Sequence, residues 1–306
     1  MSNTLTNVSQ AMLEDKVLPA LRLDRNPINA FSYQVANTPK AVGDTIKVSI
    51  ASAMDAAAFT STYASGDATV TSTNVAVTAP VFRSWHVQPE LEGMPTQARW
   101  IAQGVEAAQA VVKKILQDAL GLFVLANIGN VDETDVIDIA AANYDSDDQA
   151  DLWRMLAGKK VTGPRSAIHS IAYAANLMKD GDIKDASAYG SGGLIQTGEL
   201  PAIFGTRQFY TDLFPTAITD ENTEVIYTGA ETVAIGFAEP MEVEAGLQGA
   251  SGVQIMRLID PATGIPLIWR TWYEANTGKY WGSVFTMRGQ AFLRNSAVRV
   301  VSALTT

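Results

Sequence analysis

Hydrophobic and polar positions alternate cleanly over residues 45–50, TIKVSI. Ile46, Val48 and Ile50 fall in one phase, Thr45, Lys47 and Ser49 in the other. A period of two predicts a half-buried strand. A second alternating run covers about 69–87, with Val75, Val77, Val81, Trp85 and Val87 in phase. Between them, 13 of the 18 residues 51–68 are Ala, Ser, Thr or Gly, too little apolar bulk for a core. Residues 45–87 therefore read as a long two-stranded hairpin. An isolated hairpin is marginal in water. It must be covered by a neighbouring molecule or fold back on its own domain, and the pattern leaves both open.

The period then changes. Over 94–127, Ala98, Ile101, Val105, Ala108, Val112, Ile115, Ala119 and Leu122 recur at spacings of three and four, opposite Arg99, Gln103, Glu106, Lys113 and Gln117. This predicts an amphipathic helix of about 30 residues, roughly 45–50 Å long. Pro95 suits its first turn and Asn127–Gly129 its end. The seam is short and rich in Ala, so a helix lying across a sheet is preferred to a coiled coil.

Residues 1–43 read as an arm. Val8, Met12, Val17, Leu18 and Leu21 are interrupted by Pro19, and Asn-Pro at 26–27 and Thr-Pro at 38–39 favour extended chain. Residues 130–250 read as an α/β region. It starts with a strand at 136–140 and an acidic cap, DSDD, at 145–148, before the helix DQADLWRMLAG. A second helix is expected from about Ser166 to Lys179, with Ile168, Ile171, Ala172, Ala175 and Met178 on one face. The loop KDGDIKDASAYGSGG follows, then strands around 203–212, 223–229 and 232–238. Residues 253–303 read as a β-meander whose turns are DPATG and NTG, closed by a final strand in GQAFLRNSAVRVVSAL. Most of the six tryptophans lie in the meander, hairpin or long helix, so the main core should join that sheet to that helix.

Composition narrows the chemistry. The 306 residues hold 32 acidic and 22 basic side chains, two histidines and no cysteine. Without cysteine there are no disulfides, thiolate metal sites or thiol nucleophiles. The formal charge of -10 argues against broad nucleic-acid binding. The polar, uncharged start MSNTLTNVSQ is no secretion signal, and the longest apolar run, Leu120–Ala126, is too short for a membrane span, so a soluble chain made in the cytoplasm is expected.

Catalytic constellations fail on inspection. YGSGG at 189–193 is neither a phosphate loop nor a dinucleotide fingerprint, and Ser191 is not in a nucleophile elbow. Asp145, Asp147, Gln149 and Asp151 resemble the start of a calcium loop, but Ala150 and Leu156 stand where its Gly and Glu belong. Asp145–Asp148 are better read as a helix cap. His169, on the expected second helix, and His86, in a strand beside Trp85, read as structural. No catalytic, cofactor or metal residue is expected; an unpaired-carboxylate hydrolase is the remaining enzymatic alternative.

The order of parts carries a resemblance. VTGPRSAIHSIAYAANLMKDGD, GLIQTGELPAIFGTRQFYTDLFP and GQAFLRNSAVRVVSAL, set after an arm, a hairpin and a long helix, resemble segments of the tailed-bacteriophage major capsid proteins with the Hong Kong 97-type fold. The resemblance spans nearly the whole chain. It implies an α+β fold with an N-terminal arm (1–43), an extended β-hairpin loop (44–91), a spine helix (92–129), an α/β axial domain (130–250) and a peripheral-domain β-meander (251–306). It implies a structural protein without cofactor that self-assembles into hexamers and pentamers of an icosahedral head around double-stranded DNA, without binding DNA specifically. Its expected partners are further copies, a separate scaffolding protein, a portal and a possible decoration protein. No membrane is involved, and the product is a virion assembled in the host cytoplasm.

Expected inter-subunit contacts are Phe59 and Tyr63 near the hairpin tip, Trp85, Arg99, and Gly190, Gly192 and Gly193 in the loop near a capsomer axis. Some relatives weld neighbours through a lysine in the extended loop. This chain has no lysine between Lys47 and Lys113, so a non-covalent shell is expected. An encapsulin-like nanocompartment shell is the nearest alternative, and a surface-adhesion or tail-tube protein a further one.

Overall fold

The computed structural model describes residues 12, 15–17, 27–51, 70–88, 97–128, 135–159, 161, 163–184, 200–215, 222–239, 253–259 and 263–302. Their strands form a six-stranded sheet, a five-stranded sheet and a two-stranded ribbon.

The first sheet is organised around one long strand. In chain order its members are β1 (Ser32–Pro39), β4 (Val81–Val87), β9 (Val233–Glu239), β10 (Gln254–Ile259), β11 (Pro266–Glu274) and β12 (Lys279–Phe292). The ribbon strands β2 (Thr45–Ala51) and β3 (Val70–Ala76) lie between β1 and β4 in sequence. β12 has 14 residues, enough to serve two sets of neighbours. Its first half pairs antiparallel with β11, from Glu274↔Lys279 to Ile268↔Phe285, and with β4, from Val87↔Tyr280 to Val81↔Thr286. Its second half pairs with β9, from Ala238↔Met287 to Val233↔Phe292. β10 extends the sheet beyond β11, and β1 runs parallel to β9.

The long helix α1 (Gln97–Leu120) crosses this sheet against β4 and β12. Ile101, Ala108, Val112, Ile115 and Ala119 are buried as the spacing predicts. The buried stripe is wider, adding Trp100, Gly104, Ala107, Val111, Leu116 and Leu120, while Ala98 is exposed and Val105 and Leu122 are half-buried. Ridges of large side chains on the sheet need a groove in the helix, and Gly104 supplies it: a Cβ there would lie inside the Trp269 ring. On the sheet side, Gly282 leaves room for Trp85 and Trp100. The three indoles close the core, Trp85 lying 5.3 Å from Trp100 and 5.0 Å from Trp269 between ring centroids.

The helix is 24 residues long, hence about 36 Å. It ends at Leu120, not near Asn127–Gly129. The chain turns at Gly121–Leu122, and Phe123 drops into an edge-to-face stack with Phe31 and Phe292, at 5.5 and 6.0 Å. The hydrophobic run 120–126 hid this stop, because a buried turn and a buried helix face carry the same residue types.

Arg288 on β12, nearly buried, pairs with Asp118 on α1, which also holds Lys114 at 2.8 Å. That bridge fixes the rotation of the helix over the sheet. Burial lowers the pKa of Arg288, and Asp118 opposes the shift.

The second sheet comprises β5 (Val136–Asp138), β6 (Arg165–Ser170), β7 (Arg207–Thr211), β8 (Thr223–Gly229) and β13 (Ala297–Val301), in spatial order β5-β13-β8-β6-β7. Helix α2 (Ser146–Gly158) packs on β13 and β8, and helix α3 (Ile171–Leu177) on β6 and β7.

Further expectations change. The helix expected over 166–179 is strand β6 followed by the seven-residue α3, and its residues Ile168 and His169 are strand residues. Ser166–Ile168 sit between two strands, where both faces are covered and alternation disappears. Strand β9, expected in the α/β region, belongs to the first sheet, and β13, expected with the meander, belongs to the second. Residues 32–39, expected in the arm, are a strand of the body. The alternating run 69–87 is two strands: β3 pairs β2, whereas β4 joins β12 after a break at 77–80.

Candidate assembly surfaces

The hairpin base is anchored on its own subunit. Ile46, Val48, Val75 and Val77 pack on Ala234, Ala238 and Met287. In the strands beneath, Gly236 faces Gly289 across the ladder. A Cβ at Gly236 would meet Ile46 at 2.7 Å, and one at Gly289 would overlap Ala76 and come within 2.8 Å of Val75. The Val77 N–H donates to the Asp44 carbonyl at 2.8 Å, and the Thr78 N–H and hydroxyl both donate to the Arg288 carbonyl, at 2.9 and 2.7 Å. The root of the ribbon is thus fixed; residues 52–69 lie outside the described residues.

The sheet face turned away from α1 is aromatic and cationic. Arg270 lies over Trp272 at 5.3 Å, Trp272 stacks on Trp281 at 5.9 Å with planes 4° apart, and His86 follows at 4.7 Å from Trp281. Lys279 caps Trp281 from the side at 5.9 Å. The Trp281 indole N–H and the Thr277 hydroxyl donate to Glu274, at 2.9 and 2.7 Å, and hold its carboxyl below the usual range. Phe82 on the same face is 65% exposed. Its position in the polar phase of the run 81–87 is the sequence feature that marks it.

The interior of the second sheet carries a buried polar network. The Gln208 amide N–H donates to the Thr206 carbonyl at 3.0 Å, so its oxygen faces His169 Nε2 at 2.7 Å, and that nitrogen carries the proton. Burial lowers the His169 pKa to about 4. The Tyr227 hydroxyl donates to Gln149 at 2.6 Å, and burial raises the pKa of Tyr227 and of Tyr144. Asp145 caps α2 by accepting from the Asp147 and Asp148 N–H groups, and Asp148 returns the bond to the Asp145 N–H. Asp145, Asp147, Gln149 and Asp151 are thus a cap and helix residues, with Gln149 turned into the core, and not a cation loop. Lys159 ties α2 to Asp135 at 2.9 Å and to the Ala297 carbonyl at 2.8 Å, its pKa lowered by burial. Among the described residues no cluster of His, Asp or Glu could hold a metal, and no helix is long and apolar enough to cross a membrane.

Of the expected contact residues, Arg99 stands on the exposed side of α1. Trp85 is half-buried and packs on Trp100 and Trp269, because the phase that made it conspicuous is the phase that faces the helix. Phe59, Tyr63, Gly190, Gly192 and Gly193 lie outside the described residues.

The two sheets, the crossing helix and the rooted ribbon define a phage-capsid architecture. The chain superposes on the capsid of cyanophage P-SCSP1u with a TM-score of 0.55, at 12% identity, covering 87% of this chain and 85% of that one. It superposes on the mature capsid of bacteriophage PhiM1 with a TM-score of 0.54, at 12% identity, over 91% and 87%. A structure from Microbacterium phage Oxtober96 gives 0.53, at 13% identity, over 91% of each. No protein-family model and no curated protein matches the sequence. The fold is that of tailed-phage major capsid proteins, as the sequence resemblance implied.

Proposed function

We propose that this protein is a major capsid protein whose copies assemble as hexamers and pentamers into an icosahedral head around double-stranded DNA. The observation that carries this reading is the end-to-end superposition on phage capsid chains, reciprocal over more than four-fifths of both partners. The subunit supplies what a shell needs. The helix and first sheet make a rigid plate, the second sheet a block beside it, and the rooted ribbon extends from the plate. Identical contacts repeated around closed symmetry sum to high avidity even when each is modest.

In this reading the chain is a structural protein of the virion, assembled in the host cytoplasm with a separate scaffolding protein, a portal and a possible decoration protein. The second sheet, with β13 included, is the axial part; the first sheet with α1 is the peripheral part. A wall of net charge -10 repels phosphate across about one Debye length, roughly 8–10 Å, so DNA is enclosed without being bound tightly.

Expression of the full chain, alone and with its genomic neighbours, followed by negative-stain electron microscopy and nuclease protection, tests this. Closed particles are expected, with protected DNA when the packaging genes are present. A chain that stays monomeric at high concentration in both settings overturns the proposal.

A further inference from the structure

A two-residue turn at the end of the second sheet holds a large apolar side chain where a turn should not have one. Ile203 and Thr206 bridge each other through N–H···O bonds of 3.2 and 2.9 Å, and both are buried. The two residues between them, Phe204 and Gly205, have φ of +50° and +71°. Two consecutive positive φ values mark the tight hairpin turn that favours Asn-Gly. Phenylalanine has no local hydrogen bond to offset the left-handed backbone. The turn cannot relax, because its flanks are locked in the core. Phe204 nevertheless remains 52% exposed.

The surroundings point to what the ring meets. Residue 207 opens the β6–β7 ladder opposite Ser166, so Phe204, Arg165 and Arg207 share one end of that pair. Arg165 lies over the ring of Trp153 at 5.3 Å, and Trp153 is itself 40% exposed. Arg207 is exposed. Arg154, the next cation along α2, is engaged with Asp151 at 3.2 Å. Phe, Trp and two Arg are the residue types that concentrate at protein interfaces. Arg165 and Arg207 place two cations beside these rings on a chain of formal charge -10, so another copy of the same chain presents surface of complementary sign. Two arginines are too few to hold a phosphate backbone.

We infer that Phe204, Trp153, Arg165 and Arg207 form a contact that seats against an acidic surface of a second copy of this chain; the inference rests on the assembly reading above. The backbone strain at Phe204 is retained because the ring is used between subunits and not within one.

The test is Phe204→Asn in the full chain, which installs the residue that the turn prefers and removes the ring. Arg207→Glu is the companion variant. Each is followed by thermal melting of the dissociated subunit, and by sedimentation velocity and negative-stain imaging across a concentration series. Phe204→Asn should leave the melting temperature unchanged or higher, yet move the onset of association up at least about tenfold in concentration. Arg207→Glu should do the same, and its deficit relative to wild type should shrink in high salt. Wild-type association of Phe204→Asn overturns the inference, and so does a lowered melting temperature, which would show the ring packed on its own chain. Wild-type protein that forms small oligomers lost in Phe204→Asn, but never shells, would keep this contact and remove the shell. A wholly monomeric wild type would remove both.

Discussion

At the scale of single residues, the core is shaped as much by missing side chains as by large ones. Gly104 sits mid-helix, where alanine is the better helix former by about 1 kcal/mol. The Trp269 ring occupies the space that a Cβ would need. Overpacking costs about 1–3 kcal/mol and outweighs the propensity gain. Gly104→Ala should therefore lower stability by about 1–2 kcal/mol in thermal or denaturant melts, and pairing it with Trp269→Leu should recover part of the loss. By contrast Gly158→Ala, where a Cβ meets nothing within 4 Å, should be neutral or slightly stabilising. His169 offers a second residue-level test. Its folded pKa, about 4, lies below its ordinary value of 6.5, so the unfolded chain takes up the proton first as pH falls. Its contribution is complete above about pH 6.5 and is lost between there and about pH 4, by up to about 3 kcal/mol. Denaturant melts across that range should show the slope, and His169→Gln should flatten it. An unchanged slope in the variant would assign the acid sensitivity to other groups.

At the scale of elements, the ribbon and the sheet beneath it are mutually fitted. Gly289→Ala places a methyl group against Ala76 and Val75, and should lift the base of the ribbon at a cost of about 1–3 kcal/mol. Limited proteolysis within 52–69 should accelerate accordingly, while α2 and α3 keep their protection in hydrogen exchange. The elements also show which kind of information a sequence carries. Ribbon, helix and meander were legible because each has one covered face, so periods of two or 3.6 survive in the residue types. The DSDD cap was legible because capping is local chemistry. Strand β6 was not, because Ser166–His169 are covered on both sides and offer no alternation, and Ile171–Leu177 continue them with helix-compatible spacing. The sheet membership of β9 and β13 was equally hidden: both strands look alike in sequence, and only long-range pairing with β12 and β8 decides where each goes. Phe204 shows the same limit at the candidate contact. IFGT reads as an ordinary turn until the backbone angles show that the wrong residue occupies it.

At the scale of the whole molecule, the ribbon decides between a subunit that closes on itself and one that does not. Its base is covered by Ala234, Ala238 and Met287, which accounts for its lower strands only. Residues 51–68 carry mostly small side chains with Phe59 and Tyr63 among them, a composition that cannot hide apolar surface by itself. If those aromatics anchor on a neighbour, removing residues 55–66 should leave the plate and its melting temperature nearly intact. The same deletion should replace closed particles by free subunits or open aggregates in electron micrographs. Normal particles from the deleted chain would reassign the shell contacts to the body. The absence of lysine between Lys47 and Lys113 adds a chemical condition. With no ε-amine over residues 48–112 to form an isopeptide bond, whatever holds neighbours together beyond the ribbon's base is packing and hydrogen bonding. Particles boiled in detergent should therefore collapse to a single monomer band, and a ladder of higher bands would show a covalent weld placed elsewhere on the subunit.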